Sequence, residues 1–282
     1  MTDTLTTFEH HILPNGDVVY YRDKDHAYFR EIAHQKNHEI VGRGRLTGVS
    51  TVVKPYDGSP DGLLGWAAKL TCNGIAALAS METDDHGWVG EWVLNPEMIT
   101  LALEKEGLTW KQQRDAAATR GTNVHKHALH ALAMGDVPAY HLMTDEEKGY
   151  AKGVVNWWLE HNPDPLHKHD GDAMAECVVA DLELGVAGRF DLIADIGGRI
   201  TLVDCKTSGF LGPAMGVQLA GYASLGETCG YPPVDDMLIL QVGEDGSYDP
   251  VPIEATEEDF LAAVDVYRRA LVIRNQISRA KR

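Results

Sequence analysis

The segment Gly188–Ser208, GRFDLIADIGGRITLVDCKTS, sets three charged side chains, Asp191, Asp204 and Lys206, among leucines, isoleucines and valines. Unpaired charge is costly to bury, so these residues need partners. Gly197-Gly198 marks a two-residue primed turn. Continuing inward from Ile196 opposite Arg199, the register sets Ile193 opposite Leu202, then Asp191 opposite Asp204 and Arg189 opposite Lys206. Like charges directly opposite destabilise a strand pair, and a structural ladder would set Asp against Lys. Two carboxylates held together call instead for a hard divalent cation such as Mg²⁺ or Mn²⁺, taken by oxygen ligands; no cluster of Cys and His argues for zinc. A lysine beside such an ion is equipped to position or deprotonate a water and to offset developing negative charge, which is the chemistry of hydrolysing a charged ester. The competing arrangement is a slipped edge hairpin with two unrelated surface aspartates.

The hairpin needs a setting that buries it. By strand alternation Ile193, Ile200 and Leu202 share the face of the acids, while Phe190, Leu192, Ala194 and Val203 line the other. Two apolar faces suit an interior strand pair covered on both sides. From Met174 onward MAECVVA, LGVAGRFDLIADI, RITLVDCK and MLILQV read as strands and PAMGVQLAGYASLG as a helix. Upstream, HHILPNGDVVYYRD reads as a hairpin around Asn15-Gly16, and VSTVV as a short strand before a Pro/Gly turn and a helix. Residues 108–134 lack proline and are rich in alanine, which predicts a long helix. Thr144 with Glu147 forms a capping box opening a helix whose apolar side includes Tyr150, Val154, Val155 and Trp158. Thr256, followed by Glu257, Glu258 and Asp259, opens a final helix. The expected fold is α/β: a central mixed β-sheet flanked by helices, with an N-terminal β-hairpin and helical extension. The expected division is an N-terminal hairpin and helical region over 1–107 and a core over 108–282.

With those elements in order, GRFD followed by VDCKTS resembles the core of the PD-(D/E)xK nuclease superfamily, Asp191 being the first acid and Asp204-Cys205-Lys206 the second acid, spacer and lysine. QLAGY, with Gln218 and Tyr222 one helical turn apart, resembles the QxxxY motif of the RecB-like branch. RGTNVHKHAL resembles that branch's GxxxH helix motif, and LTGVSTVVKPYDGSPDGLLGWAAK its opening segment as found in phage and mitochondrial-maintenance exonucleases. The likeness runs in order from about Leu46 to Gln241. It implies a restriction-endonuclease-like core and a metal-dependent DNA exonuclease of recombination, replication or repair. It also implies Mg²⁺ or Mn²⁺ held by Asp191, Asp204, His125 and the Cys205 carbonyl, with Glu176 as a further acid. Lys206 would be catalytic, and Gln218, Tyr222 and Arg120 would contact DNA. A single-strand annealing recombinase is an implied partner, and the host cytoplasm the implied compartment if the protein is phage-encoded. Alternatives within this reading are an inactive DNA-end-binding module and an endonuclease or RNA-directed member. The second acid is Asp where the family more often has Glu.

Helical steps of about 100° per residue place Gly121, Val124, His125, Ala128 and Leu132 on one apolar side, so His125 points inward while His127 faces water. The pairs His34/His38 and His167/His169 have metal-like spacing, but no carboxylate-bearing scaffold accompanies them. The four cysteines are scattered, without CxxC, which argues against an iron-sulfur cluster, a zinc ribbon or a disulfide framework. No GxxxxGK[ST] loop is present, so ATP is not expected as a cofactor. Neither a signal peptide nor a long apolar run suggests export or a membrane, which leaves a reducing cytoplasm as the expected setting. A formal charge of −17 disfavours a broad phosphate-binding surface. Cations cluster locally instead, at Arg43 and Arg45 and in the tail from Arg268 to Arg282. In the tail they also complement a helix C-terminus.

Overall fold

In a computed structural model, residues 8–33, 40–57, 60–81 and 96–281 are described. They fall in two compact units, one within residues 1–57 and 124–282 and the other Gly58–Asn123. The chain opens with β1 (Glu9–Ile12), β2 (Val18–Arg22), β3 (Ala27–Ala33) and β4 (Ile40–Gly48), followed by a short helix α1 (Val49–Val52). The Asn15-Gly16 hairpin is present, with Ile12 paired to Val18. VSTVV departs from its expected strand. Val49, Val52 and Val53 are 1–2 % exposed as a helical turn, where burial against the core overrides β-branched preference.

The Gly58–Asn123 unit contains α2 (Pro60–Met81) and α3 (Pro96–Lys105), and α4 (Trp110–Val124) extends to its boundary. Within it Gly74 permits close approach, since a Cβ there would lie 2.8 Å from the Leu108 carbonyl oxygen. The long helix expected over 108–134 is present from Trp110 to Ala133, widened once: α4 passes into a π-helical turn, His125–Leu129, and then directly into α5 (His130–Ala133). Helix α6 (Asp145–His161) begins at the expected capping box, with the Thr144 side chain and Glu147 bonded reciprocally. Its fully buried tryptophan is Trp157, with Trp158 only partly covered, so the inward stripe is turned by one residue from the expected one.

The remaining elements are β5 (Asp164–Pro165), β6 (Ala175–Asp181), β7 (Val186–Ile196), β8 (Arg199–Lys206), α7 (Pro213–Cys229), β9 (Asp236–Val242), β10 (Tyr248–Ile253) and α8 (Glu257–Ala280). The described strands form one mixed ten-stranded sheet in the order β1-β2-β3-β4-β7-β8-β9-β10, with β5 and β6 also on β7. Parallel β8 and β9 are joined through α7, the crossover that parallel neighbours require. One face buries Val217, Leu219 and Phe260 of α7 and α8 against Ile193, Leu202 and Ile239. On the other, Val154 and Trp157 of α6, with Leu129, meet Leu192, Val203 and Leu240. The expected α/β class, central mixed sheet and N-terminal hairpin are all present.

The pairing of β7 explains where the sheet opens. Along one edge it meets β6 and β5; along the other it meets β4 at Val186 and Ala187 and β8 from Leu192 to Ile196. Between these stretches, residues 188–191 have no strand partner on that edge among the described residues. The register expected from the glycine turn holds from Ile196↔Arg199 to Leu192↔Val203 and stops one pair short of Asp191 and Asp204.

Candidate metal centre

Asp191 stands where β8 parts from β7. Its Oδ2 accepts the Cys205 N–H at 2.8 Å, so a side chain takes over the hydrogen bond that a continuing ladder would have supplied. Asp191 and Asp204 are 8 % and 2 % exposed. Instead of the expected Arg189–Lys206 pairing, the two cations turn to different acids: Lys206 to Asp204, and Arg189 Nε to Glu176 Oε2 at 2.9 Å.

His125, first residue of the π turn, reaches the same place. Its Nε2 donates to the Cys205 carbonyl at 2.7 Å, while Nδ1 lies 3.3 Å from Asp191 Oδ2 and 4.0 Å from Glu176 Oε1. A π turn adds one residue to the helical ring and shifts everything after it, a feature that often marks functional sites. Glu176 faces Asp191 across β6 and β7 with φ of 52°, the left-handed region, in the middle of a strand. The regular pairs Ala175↔Leu192 and Cys177↔Phe190 flank it. For a glutamate without a turn this conformation is strained by roughly 1–3 kcal/mol and is sustained only by its surroundings.

The electrostatics describe an acidic nest with built-in counterions. Burial opposes ionisation of Asp191, but the adjacent His125 imidazole overrides it and holds the carboxyl below its ordinary range. Burial likewise opposes charging of His125, and Asp191 reverses this, raising its pKa well above the usual value. Burial, reinforced by the charge on Asp191, raises the carboxyls of Glu176 and Asp204. For Lys206 burial is outweighed by Asp204 and Asp191, so its ammonium is held charged.

One nitrogen of His125 and one oxygen each of Glu176 and Asp191 lie within 4.8 Å of one another. The donor set, two carboxylates and an imidazole beside a backbone carbonyl, fits a divalent ion of the Mg²⁺, Mn²⁺ or zinc kind, and by itself does not choose among them. The expected ligand Asp204 stands next to this trio, paired with Lys206, and the Cys205 carbonyl is turned toward His125. On α7 the Gln218 amide donates to the Tyr222 hydroxyl at 2.8 Å. Tyr222 lies close enough to Asp204 and Asp191 for their charges to raise its pKa further, after burial has already done so. Arg120 belongs to α4 of the Gly58–Asn123 unit. His34 and His38 lie outside the described residues, and His167 and His169 are absent from the metal-capable group among the described ones.

Sequence reasoning missed the partner of Glu176, Arg189. Its side chain is partly buried, and the guanidinium lies 5.1 Å from the Tyr21 ring centroid. The unused signal was the register itself: Arg189 and Glu176 sit on neighbouring strands two residues apart in pairing, a diagonal that long side chains span.

No family model matches the chain, and no curated protein sequence matches it. Among solved structures, SSO0001 aligns over 54 % of this chain and 74 % of its own at 12 % identity, with a TM-score of 0.29. A protein of Eubacterium rectale provisionally named an exonuclease aligns over 56 % of this chain and 84 % of its own at 11 % identity, with a TM-score of 0.24. Superpositions this loose carry no functional argument, which rests on the site. No helix among the described residues is long and apolar enough to cross a membrane.

Proposed function

We propose that the protein is a divalent-metal-dependent nuclease that hydrolyses phosphodiester bonds of DNA, working as an exonuclease. One observation carries the reading. Acids from β6, β7 and β8, an imidazole from the helix after Val124 and a lysine converge where β7 and β8 part, although burial and mutual repulsion oppose gathering them without an ion. The order of motifs in the sequence points the same way.

In this reading His125, Glu176 and Asp191 hold the ion, with Asp204 and the Cys205 carbonyl beside them. When bound, the ion supplies Lewis acidity toward a phosphate oxygen and lowers the pKa of a coordinated water. Lys206, whose ammonium form Asp204 and Asp191 favour, orients the attacking water and offsets charge on the phosphate. Arg189 offsets part of the burial that raises the Glu176 carboxyl and holds that side chain in place. Gln218 fixes the Tyr222 hydroxyl at the edge of the site, where it can meet the substrate backbone.

The test is digestion of end-labelled linear duplex and single-stranded DNA with Mg²⁺, Mn²⁺ or EDTA, with a closed circle as control. Metal-dependent loss of label from linear substrates only is expected. Cutting of the circle would make it an endonuclease, and DNA binding without any cleavage would leave an end-binding module.

A further inference from the structure

The outward face of the N-terminal strands has no place in the chemistry above. Antiparallel pairing puts His10 opposite Tyr20, Tyr20 opposite Phe29 and Phe29 opposite Arg45, so the four residues form one row across four strands. The alternate row, Tyr21, Tyr28 and Leu46, is the buried one. The His10–Tyr20–Phe29–Arg45 row therefore looks away from the core.

Cations are laid over its rings. The Arg43 guanidinium lies 4.0 Å from the Tyr20 centroid and 4.6 Å from that of Phe8; Arg22 lies 4.7 Å from Phe29 and 5.7 Å from Phe8. Phe8 meets Phe29 edge to face at 5.4 Å, and His10 leans on Tyr20 at 5.3 Å. Ile12, on the same face, is 70 % exposed. Acids are present but engaged: Asp25 binds Arg22 through two bonds of 2.7 Å, and Glu31 accepts the Tyr20 hydroxyl. In a chain of net charge −17, residues 8–57 contain as many Lys and Arg as Asp and Glu. The cations of β4 all lie on this face.

Flat rings and guanidinium planes interleaved on a solvated sheet are what unpaired bases stack upon, with the arginines drawn to the phosphates between them. A duplex hides its base faces and could use only the charges. The route to the site is short. From Arg45 to Gly48 is three residues, about 10 Å of strand, and Gly48 pairs with Ala187 of β7. A cavity of about 570 Å³ there is bordered by His26, Arg45, Ser50, Thr51, Gly188 and Tyr222.

We propose that the outer face of β1–β4 is a stacking platform for single-stranded DNA, which passes along β4 to Tyr222 and the metal centre. The link to cleavage rests on the nuclease reading; the binding does not. The experiment is fluorescence anisotropy of labelled oligo(dT), oligo(rU) and a duplex of equal length on the full chain, with EDTA present to stop cleavage. Oligo(dT) should bind more tightly than the duplex. The double variant Tyr20→Leu/Phe29→Leu, which keeps apolar volume and removes the π faces, should weaken oligo(dT) binding about tenfold or more. Tyr20→Phe should bind like wild type. Arg43→Ala/Arg45→Ala should lower the slope of log affinity against log salt by about 0.7 for each phosphate no longer neutralised. Melting temperatures identify any variant that has unfolded, and Arg43→Ala alone then serves as the milder test. Hydrolysis of bis-p-nitrophenyl phosphate with Mn²⁺, which has no bases to stack, should be the same for Tyr20→Leu/Phe29→Leu and wild type.

Oligo(dT) affinity unchanged in a folded Tyr20→Leu/Phe29→Leu protein would overturn the platform, as would stronger binding of duplex. Tighter binding of oligo(rU) would overturn its assignment to DNA. Wild-type protein that binds oligo(dT) as described yet cleaves nothing with any metal would instead sink the nuclease reading and leave the platform standing.

Discussion

The two ends of the β7–β8 hairpin are built by opposite rules. Toward the turn, Gly197 and Gly198 both take positive φ, Asp195 accepts the Gly198 N–H at 2.7 Å, and Ile193 and Leu202 are 3 % and 1 % exposed. The backbone there is satisfied by regular pairing, and the inward side chains are apolar. Roughly twenty ångströms along the strands from the turn, the ladder stops and Asp191 takes the Cys205 N–H, while Glu176 holds a strained backbone and three acids crowd a histidine and a lysine. The first end maximises stability; the second accepts strain and repulsion for the sake of a charged centre. Substitution should separate the two. Asp191→Asn should reduce metal-dependent cleavage by about a thousandfold or more, the several kcal/mol that ion-assisted charge stabilisation supplies. Mn²⁺ binding followed by calorimetry should disappear with it. Melting temperature should change far less, because an amide oxygen can still accept from Cys205. A cleavage rate within tenfold of wild type would break the contrast. Leu202→Ala, on the same sheet face, should do the reverse: a stability loss of about 2–5 kcal/mol in urea unfolding, with metal binding by the remaining folded protein unchanged.

What is legible in the sequence follows the same division. The glycine turn, the alternation of β7 and β8 and the Thr144 capping box rest on short-range rules, and each is present where expected. Asp191, Asp204 and Lys206 stand out as chemical types out of place in apolar surroundings, His125 is marked by its place in the GxxxH-like segment, and the four do converge. The register beyond Leu192 is not legible, because continuing a ladder is the default and only the competing Asp191–Cys205 hydrogen bond ends it. The π turn at His125 is likewise hidden. An ideal helix also turns His125 inward, and the extra residue shows only when Ala128 and Leu129 pack against β7 and α6. VSTVV misleads because valine favours strands on average, whereas here three valines fill a gap between α7 and the sheet. Arg189 escapes notice because its partner lies diagonally on β6, across the edge opposite the hairpin.

Tight packing against the charged end provides a gentler probe. A Cβ at Gly188 would come 2.5 Å from Tyr222 Cε1 and 3.0 Å from Val49 Cγ2, so Gly188→Ala must push the Tyr222 ring aside. Displacements near 1 Å in a positioning group can cost on the order of a hundredfold, and a tenfold to hundredfold fall in cleavage rate is expected. If Tyr222 orients the substrate, pairing Gly188→Ala with Tyr222→Phe should cost little more than either change alone. Independent, multiplying effects would mean the tyrosine is only filling space.

The smallest effect isolates the strain itself. Glu176→Gly and Glu176→Ala both delete the carboxylate, leave Arg189 without its partner and should abolish tight Mn²⁺ binding. They differ in one respect, because glycine accepts φ of 52° without steric penalty and alanine does not. Measured without metal, Glu176→Gly should therefore be more stable than Glu176→Ala by about 1 kcal/mol, in the direction opposite to their usual order inside a strand. That reversal would locate the strain at a residue that also bears a candidate ligand, which is where a fold held together by pairing alone would have no reason to put it. The ordinary order, with alanine the more stable, would mean that β6 relaxes once the glutamate is gone, and that its side-chain pairing with Arg189 rather than the backbone around it holds residue 176 in its left-handed state.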